Sequence, residues 1–238
     1  MKTLRSGLIV LLTFVAIAVK AQSVDDIIAK HINALGGKGV LENTKSVYVE
    51  SSVDISGNEA PTVTYILFGK GSRTELDFAG QKVIQTVSEK NGGWAVTPAQ
   101  AGAVALPDDQ TKASKMGYET GGPLYNYAAK GSKVALLGKD TANGGAYKVE
   151  LTTKDGLAVT YYINAQTYYI DKAVNKMSVG GQEMETTATF SDYRKADGGY
   201  VLSWSQKIAL PQMTLVITNK KVEVNKAIDE GLFEMPKN

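Results

Sequence analysis

From Ser46 to Val224 the chain is a succession of short runs in which apolar and polar residues alternate, separated by brief glycine-containing turns. This spacing constrains the fold more than any other feature. Alternation with period two marks half-buried strands. Parallel strands need a crossover of about a dozen residues, and these gaps leave none. The runs therefore predict an antiparallel meander. In the first, Val47, Val49, Val53 and Ile55 share one face and Tyr48, Glu50, Ser52 and Asp54 the other. Further strands are expected at 62–68, 73–78, 82–88 and 94–97, then at 133–137, 146–153, 159–164, 168–174, 183–194, 200–208 and 214–224. Turn pairs such as Gly57-Asn58, Asn143-Gly144 and Asp197-Gly198 punctuate them. Twelve tyrosines and recurring Val and Thr suit a pleated sheet.

Two segments break the rhythm. Ser23-Val24-Asp25-Asp26 fits a helix start with acidic first-turn residues. Ile27, Ile28, His31, Ile32 and Leu35 follow at helical spacing, and Gly36-Gly37 is expected to end the helix. Its apolar side, Ile28, Ile32 and Leu35, must lie on the sheet. Residues 98–131 form an insertion with a short helix expected from Asp108 to Met116 and another turn or two between Leu124 and Lys130. Insertions of this length are often lids or binding loops.

The resulting expectation is mainly β: one domain over residues 22–238 built on a large, strongly curved antiparallel sheet. An open sheet of this size tends to curl or split, and so few short helices cannot fill its concave side. That mismatch argues for an apolar hollow, although a closed barrel or a sandwich would solve the same problem.

Residues 1–21 read as a secretion signal. Lys2 and Arg5 supply the positive start, Leu8 to Val19 the apolar stretch, and Val19-Lys20-Ala21 the small residues before cleavage at Ala21–Gln22. The stretch is shorter than the ~20 residues of a membrane span, so a soluble periplasmic protein is expected. With no cysteine, neither disulfides nor lipidation of this chain are available. Removing Lys2, Arg5 and Lys20 from 26 basic residues leaves one fewer than the 24 acidic ones, which gives no basis for nucleic-acid binding. One histidine and no cysteine argue against transition-metal sites. No cofactor fingerprint, nucleophile elbow or phosphate loop occurs. His31 is the first candidate general base, but no nucleophile pattern accompanies it and a structural role is expected. Glu183 and Glu185 read as solvent-facing strand residues, and Asp25-Asp26 and Asp108-Asp109 as helix starts. The chain is not expected to be an enzyme.

Several stretches in order, Ile28 to Gly37, Arg73-Thr74-Glu75, Gly93-Trp94 with Pro98, Tyr161 to Asn164 with Thr167-Tyr168, Phe190 to Tyr193 with Asp197-Gly198, and Asn225 to Pro236, resemble the LolA-like family of outer-membrane lipoprotein-sorting proteins. The resemblance covers nearly the whole chain after residue 21. It implies an incomplete antiparallel barrel with helices across its mouth as a lid. It also implies a carrier or sensor of lipid or lipoprotein acyl chains without cofactor, and an inner-strand arginine near 68–73 that holds the lid. An envelope-protein partner is the alternative for a ligand-free interaction module. Strand parity offers candidate cavity liners: Val63, Tyr65 and Leu67; Val83 and Val87; Trp94 and Val96; Met184, Ala188 and Phe190.

Overall fold

The computed structural model describes residues 22–179, 182–210 and 213–236; the expected signal, residues 1–21, lies outside the described residues. The chain enters through α1 (Val24–Ala34), started by a reciprocal capping box. The Asp26 N–H donates to Ser23 Oγ at 3.1 Å, and the Ser23 N–H donates to Asp26 Oδ2 at 3.3 Å. Gly36 does not release the chain to a strand. At φ +113° it turns directly into α2 (Gly37–Asn43), a helix that the glycine-rich sequence conceals. Burial of Leu41, 1% exposed, holds that short helix in place of propensity. A Cβ on Gly36 would meet the Gly199 carbonyl at 2.6 Å, so both the turn and the close approach require glycine.

The first run of strands follows: β1 (Ser46–Ile55), β2 (Asn58–Leu67), β3 (Gly71–Phe78), β4 (Gln81–Ser88), β5 (Gly92–Val96) and β6 (Ala103–Ala105). Two-residue turns with positive φ, Ser56-Gly57 and Ala79-Gly80, close the β1–β2 and β3–β4 hairpins and fix their registers. The insertion then carries α3 (Asp108–Lys115) and the single turn Met116–Tyr118. Residues 124–131 form hydrogen-bonded turns, not the helix expected there; Gly131 at φ +78° ends them.

The second run comprises β7 (Lys133–Asp140), β8 (Ala146–Thr152), β9 (Ala158–Ile163), β10 (Ile170–Val179), β11 (Gln182–Lys195), β12 (Val201–Ala209) and β13 (Thr214–Val224). All thirteen described strands form one antiparallel sheet. Its order is β6-β5-β4-β3-β2-β1-β13-β12-β11-β10-β9-β8-β7. The two meanders meet where β1 pairs with β13, so the chain's two ends close the middle of the sheet. The edges β6 and β7 are not paired to each other, and the barrel stays open. The insertion is the only covalent path from one edge to the other, and this places it across the mouth.

Helices cover the flanks of one face. Ile27, Ile28 and Ile32 of α1 pack with Val149, Leu151, Val159, Tyr161 and Ile163 of β8 and β9. At the other flank α3 lies on β4 and β5, with Gln85 Nε2 donating to Ser114 Oγ at 3.3 Å.

Candidate functional site

Direct partners in an antiparallel ladder point to the same face, so one row can be followed across the sheet. It runs Val149, Tyr161, Ala173, Ala188, Ile208, Leu215 and Ile55. Val149 is fully buried beneath α1, which makes this the concave, helix-bearing face. Beyond Tyr161 every residue of the row is only half-buried. The same face carries Phe190, Ile217, Ile66, Leu76 and Val83, all half-buried. Along β13, half-buried concave residues alternate with exposed convex ones, and none of its described residues reaches full burial. Between the two helical flanks lies a half-open wall on which these apolar residues are interspersed with Gln206, Thr62 and Thr64.

Registers sort the sequence-derived liners into two groups. Val83, Val87 and Phe190 lie on the concave wall, with Val87 sealed at 1% exposure and Val83 and Phe190 half-open. Ala188 is on the same wall. Met184 pairs with Met177 in backbone register, but its side chain lies outside the described residues. Val63, Tyr65, Leu67, Trp94 and Val96 are on the opposite, convex face. The reason is the β1–β2 turn: it sets Val47 against Ile66 and Val49 against Thr64, leaving the odd-numbered residues of β2 outside. Tyr65 meets Tyr48 edge-on at 5.4 Å on that outer face. The outer face of the strands beside β2 is also covered. The C-terminal turn Glu230–Phe233 lies on β3 and β4. Phe233 is 4% exposed, and Trp94 is fully buried on the same side.

Arg73 belongs to that outer seal. Its Nη1 donates to the Leu232 carbonyl at 3.0 Å, Nε donates to Glu75 Oε1 at 2.8 Å, and the guanidinium lies 5.7 Å from the Trp94 ring centre. It therefore ties down the C-terminal segment on the convex face and is not placed to hold the lid.

Other groups hold the lid. The Gly69 N–H donates to the Tyr118 carbonyl at 2.8 Å, and Tyr118 Oη donates to Glu89 Oε1 at 2.9 Å. Tyr125 Oη donates to Glu42 of α2 at 2.6 Å, and Tyr127 Oη to Asp25 of α1 at 2.7 Å. Lys130 Nζ reaches Glu119 Oε2 at 2.8 Å and the Gly122 carbonyl at 2.6 Å, tying the insertion to itself. Burial and the Glu89 bond push the Tyr118 phenol well above its usual range, so these latches stay protonated donors at neutral pH.

Beneath lid residues 121–124 is a cavity of 220 Å³ between α1 and β9–β12. His31, Leu35, Leu124, Tyr161, Ile170, Phe190, Tyr193, Tyr200 and Gln206 contribute to its wall. Phe190 and Gln206 connect it with the half-open concave wall, because Gln206 pairs with both Phe190 and Ile217. No Asp, Glu, Lys or Arg lines it. A second cavity, of 560 Å³, opens at the rim beside α3 and is polar, with Lys112, Lys115, Lys130 and Lys154 among Glu89, Glu119 and Asp155. Sequence reasoning missed the cavity beneath the lid because its wall comes from six separated segments. The hairpin turn count could have transferred parity from β1 to β2.

Comparison with solved structures shows where this fold has been seen before. The backbone matches a DUF1329 family protein from Desulfovibrio piger at a TM-score of 0.60 and 15% identity, over 90% of this chain and 98% of that one. It matches a domain from Vibrio parahaemolyticus named for outer-membrane lipoprotein sorting at 0.58 and 14% identity, over 87% and 94%. A LolA superfamily protein from Nitrosomonas europaea matches at 0.55 and 13%, over 82% and 96%. The chain has the LolA fold. No family model and no curated relative matches the sequence. The LolA fold is thus carried here by a chain whose resemblance at the residue level is thin. Its open antiparallel barrel with few short helices is nevertheless the one the sequence resemblance implied.

Proposed function

We propose that this LolA-fold chain is a non-catalytic periplasmic carrier that shelters the acyl chains of lipids or lipoproteins in its concave hollow. The observation that carries the reading is the apolar wall of β11–β13 and β2–β4. Phe190, Ile208, Leu215, Ile217, Ile66 and Leu76 face the hollow and stay half-open, with helices only at the flanks. Leaving such a wall wet is unfavourable, and each acyl methylene laid on it gains ~0.8 kcal/mol. Likeness in fold to the Vibrio domain named for lipoprotein sorting supports the same cargo class. Export through the signal of residues 1–21 supplies the compartment. The wall around His31 contains hydroxyls but no carboxylate, which favours carriage over general-base chemistry.

The test is Ile217→Glu, read by uptake of a fluorescent fatty acid and by urea midpoint. A half-open site tolerates the charge with a stability loss of about 1 kcal/mol or less, while uptake is lost. Unchanged uptake, or no uptake by the unsubstituted chain, overturns the reading.

A further inference from the structure

His31 is the only histidine in the sequence and is 4% exposed, yet it belongs to the wall of the cavity beneath the lid. Its Nδ1 lies 2.8 Å from the Tyr168 carbonyl oxygen. A carbonyl can only accept, so Nδ1 carries the proton and Nε2 is left with a lone pair. Among the described residues nothing partners Nε2. The ring is therefore held in one tautomer by a main-chain contact and keeps one acceptor free. Burial depresses the imidazole's basicity and keeps it neutral, in agreement with that geometry.

The rest of the wall matches this nitrogen. Tyr161 and Tyr200 line the same cavity, and neither hydroxyl has a protein hydrogen-bond partner among the described residues. Burial raises both phenols, Tyr200 to about 12, so both remain uncharged. Ser203 is already used, since its hydroxyl lies 2.8 Å from the Ser191 carbonyl and 2.7 Å from that of Ser205. The cavity thus combines the free His31 Nε2 acceptor, two free tyrosine hydroxyls, the Gln206 carboxamide and no ionised side chain. An ionised ligand would shed part of its hydration there with no opposite charge to replace it. A volume of 220 Å³ accommodates a head group or a short segment of chain, not a whole long acyl chain. The adjoining wall at Phe190 is where the remainder would lie.

We propose that this cavity selects the uncharged, hydrogen-bond-donating head of an amphiphile, a hydroxyl or amide N–H attached to an acyl chain, and that His31 Nε2 is the acceptor that reads it. The inference rests on the carrier reading and adds the head-group class to it. Methyl oleate has the chain without the donor, oleate has the charge, and 1-monooleoylglycerol and oleamide offer an O–H and an N–H.

The experiment is displacement of a fluorescent acyl probe from the purified chain at pH 8 by these four compounds. The two neutral donors should displace the probe about tenfold more tightly than methyl oleate or oleate, the worth of one well-made buried hydrogen bond. A preference shown by only one of them supports the proposal and names the donor. In His31→Phe the preference should fall to threefold or less, while methyl oleate keeps its affinity. Tyr200→Phe, which removes only a hydroxyl, should weaken the neutral donors and leave methyl oleate unchanged. Equal displacement by all four compounds from the unsubstituted chain overturns head-group selection but leaves the carrier reading standing, and needs no variant to fold. A preference that survives in a folded His31→Phe also overturns it. Failure to take up the probe at all sinks the carrier reading itself.

Discussion

The wall under α1 and the wall of β11–β13 are the same face of the same sheet, joined by an unbroken row of paired residues, yet one is dry and the other wet. On β8 and β9, Val149 and Ile163 are fully buried and Leu151 is 1% exposed. On β12 and β13, Ile208, Leu215 and Ile217 occupy equivalent positions and remain half-open. Both segments alternate in the same way in sequence. What separates them is the cover: Ile27, Ile28 and Ile32 sit over the first wall, whereas the helices stop short of the second. Alternation reports that a strand has an apolar face. It does not report whether that face meets protein, ligand or water.

The comparison breaks most readily at Val149. Val149→Asp should cost ~4 kcal/mol, because the new carboxylate would be buried without a partner. The urea midpoint of that variant, set beside Ile217→Glu, measures the difference between the two walls. Equal losses would mean that both are packed core and would remove the hollow.

Acid should then loosen the dry wall before the wet one. Burial holds the folded His31 imidazole below its ordinary value of 6.5. The unfolded chain therefore binds the proton first. The His31 contribution is neutral above that value, and stability declines as pH falls from 6.5 toward the lower folded value. The pH dependence of the urea midpoint in this window should flatten in His31→Phe. A decline of the same steepness in both chains would place the linkage elsewhere.

The smallest effect is expected on the convex face. Leu67→Glu should leave acyl uptake unchanged, because Leu67 pairs with Gly71 on the side away from the hollow. Loss of uptake in a variant with a preserved thermal midpoint would reverse the assignment of faces.

Much of the architecture was legible from spacing. The alternating runs gave the antiparallel meander, Ser23 and Asp26 gave the start of α1, and Asp108 to Met116 gave α3 to within a residue. Helix α2 was hidden because Gly37 and Gly39 have poor intrinsic propensity and only the burial of Leu41 compensates. Of the candidate liners, Val83 and Phe190 reach the half-open wall. Val63, Tyr65 and Leu67 do not, because β2 has apolar residues on both faces. The convex face of this meander is covered by a C-terminal segment about 165 residues further along the chain.

By itself, the sequence determined what is local: period, turns, caps, the lack of cysteine and a near-balanced charge. Those follow from backbone geometry and side-chain chemistry within a few residues. Only the tertiary structure decided which face of each strand is concave, where Arg73 reaches, and that His31 shares a cavity with Tyr161 and Tyr200. Each of these depends on contacts between distant segments, and the pairing of β1 with β13 that brings them together is written in no local pattern.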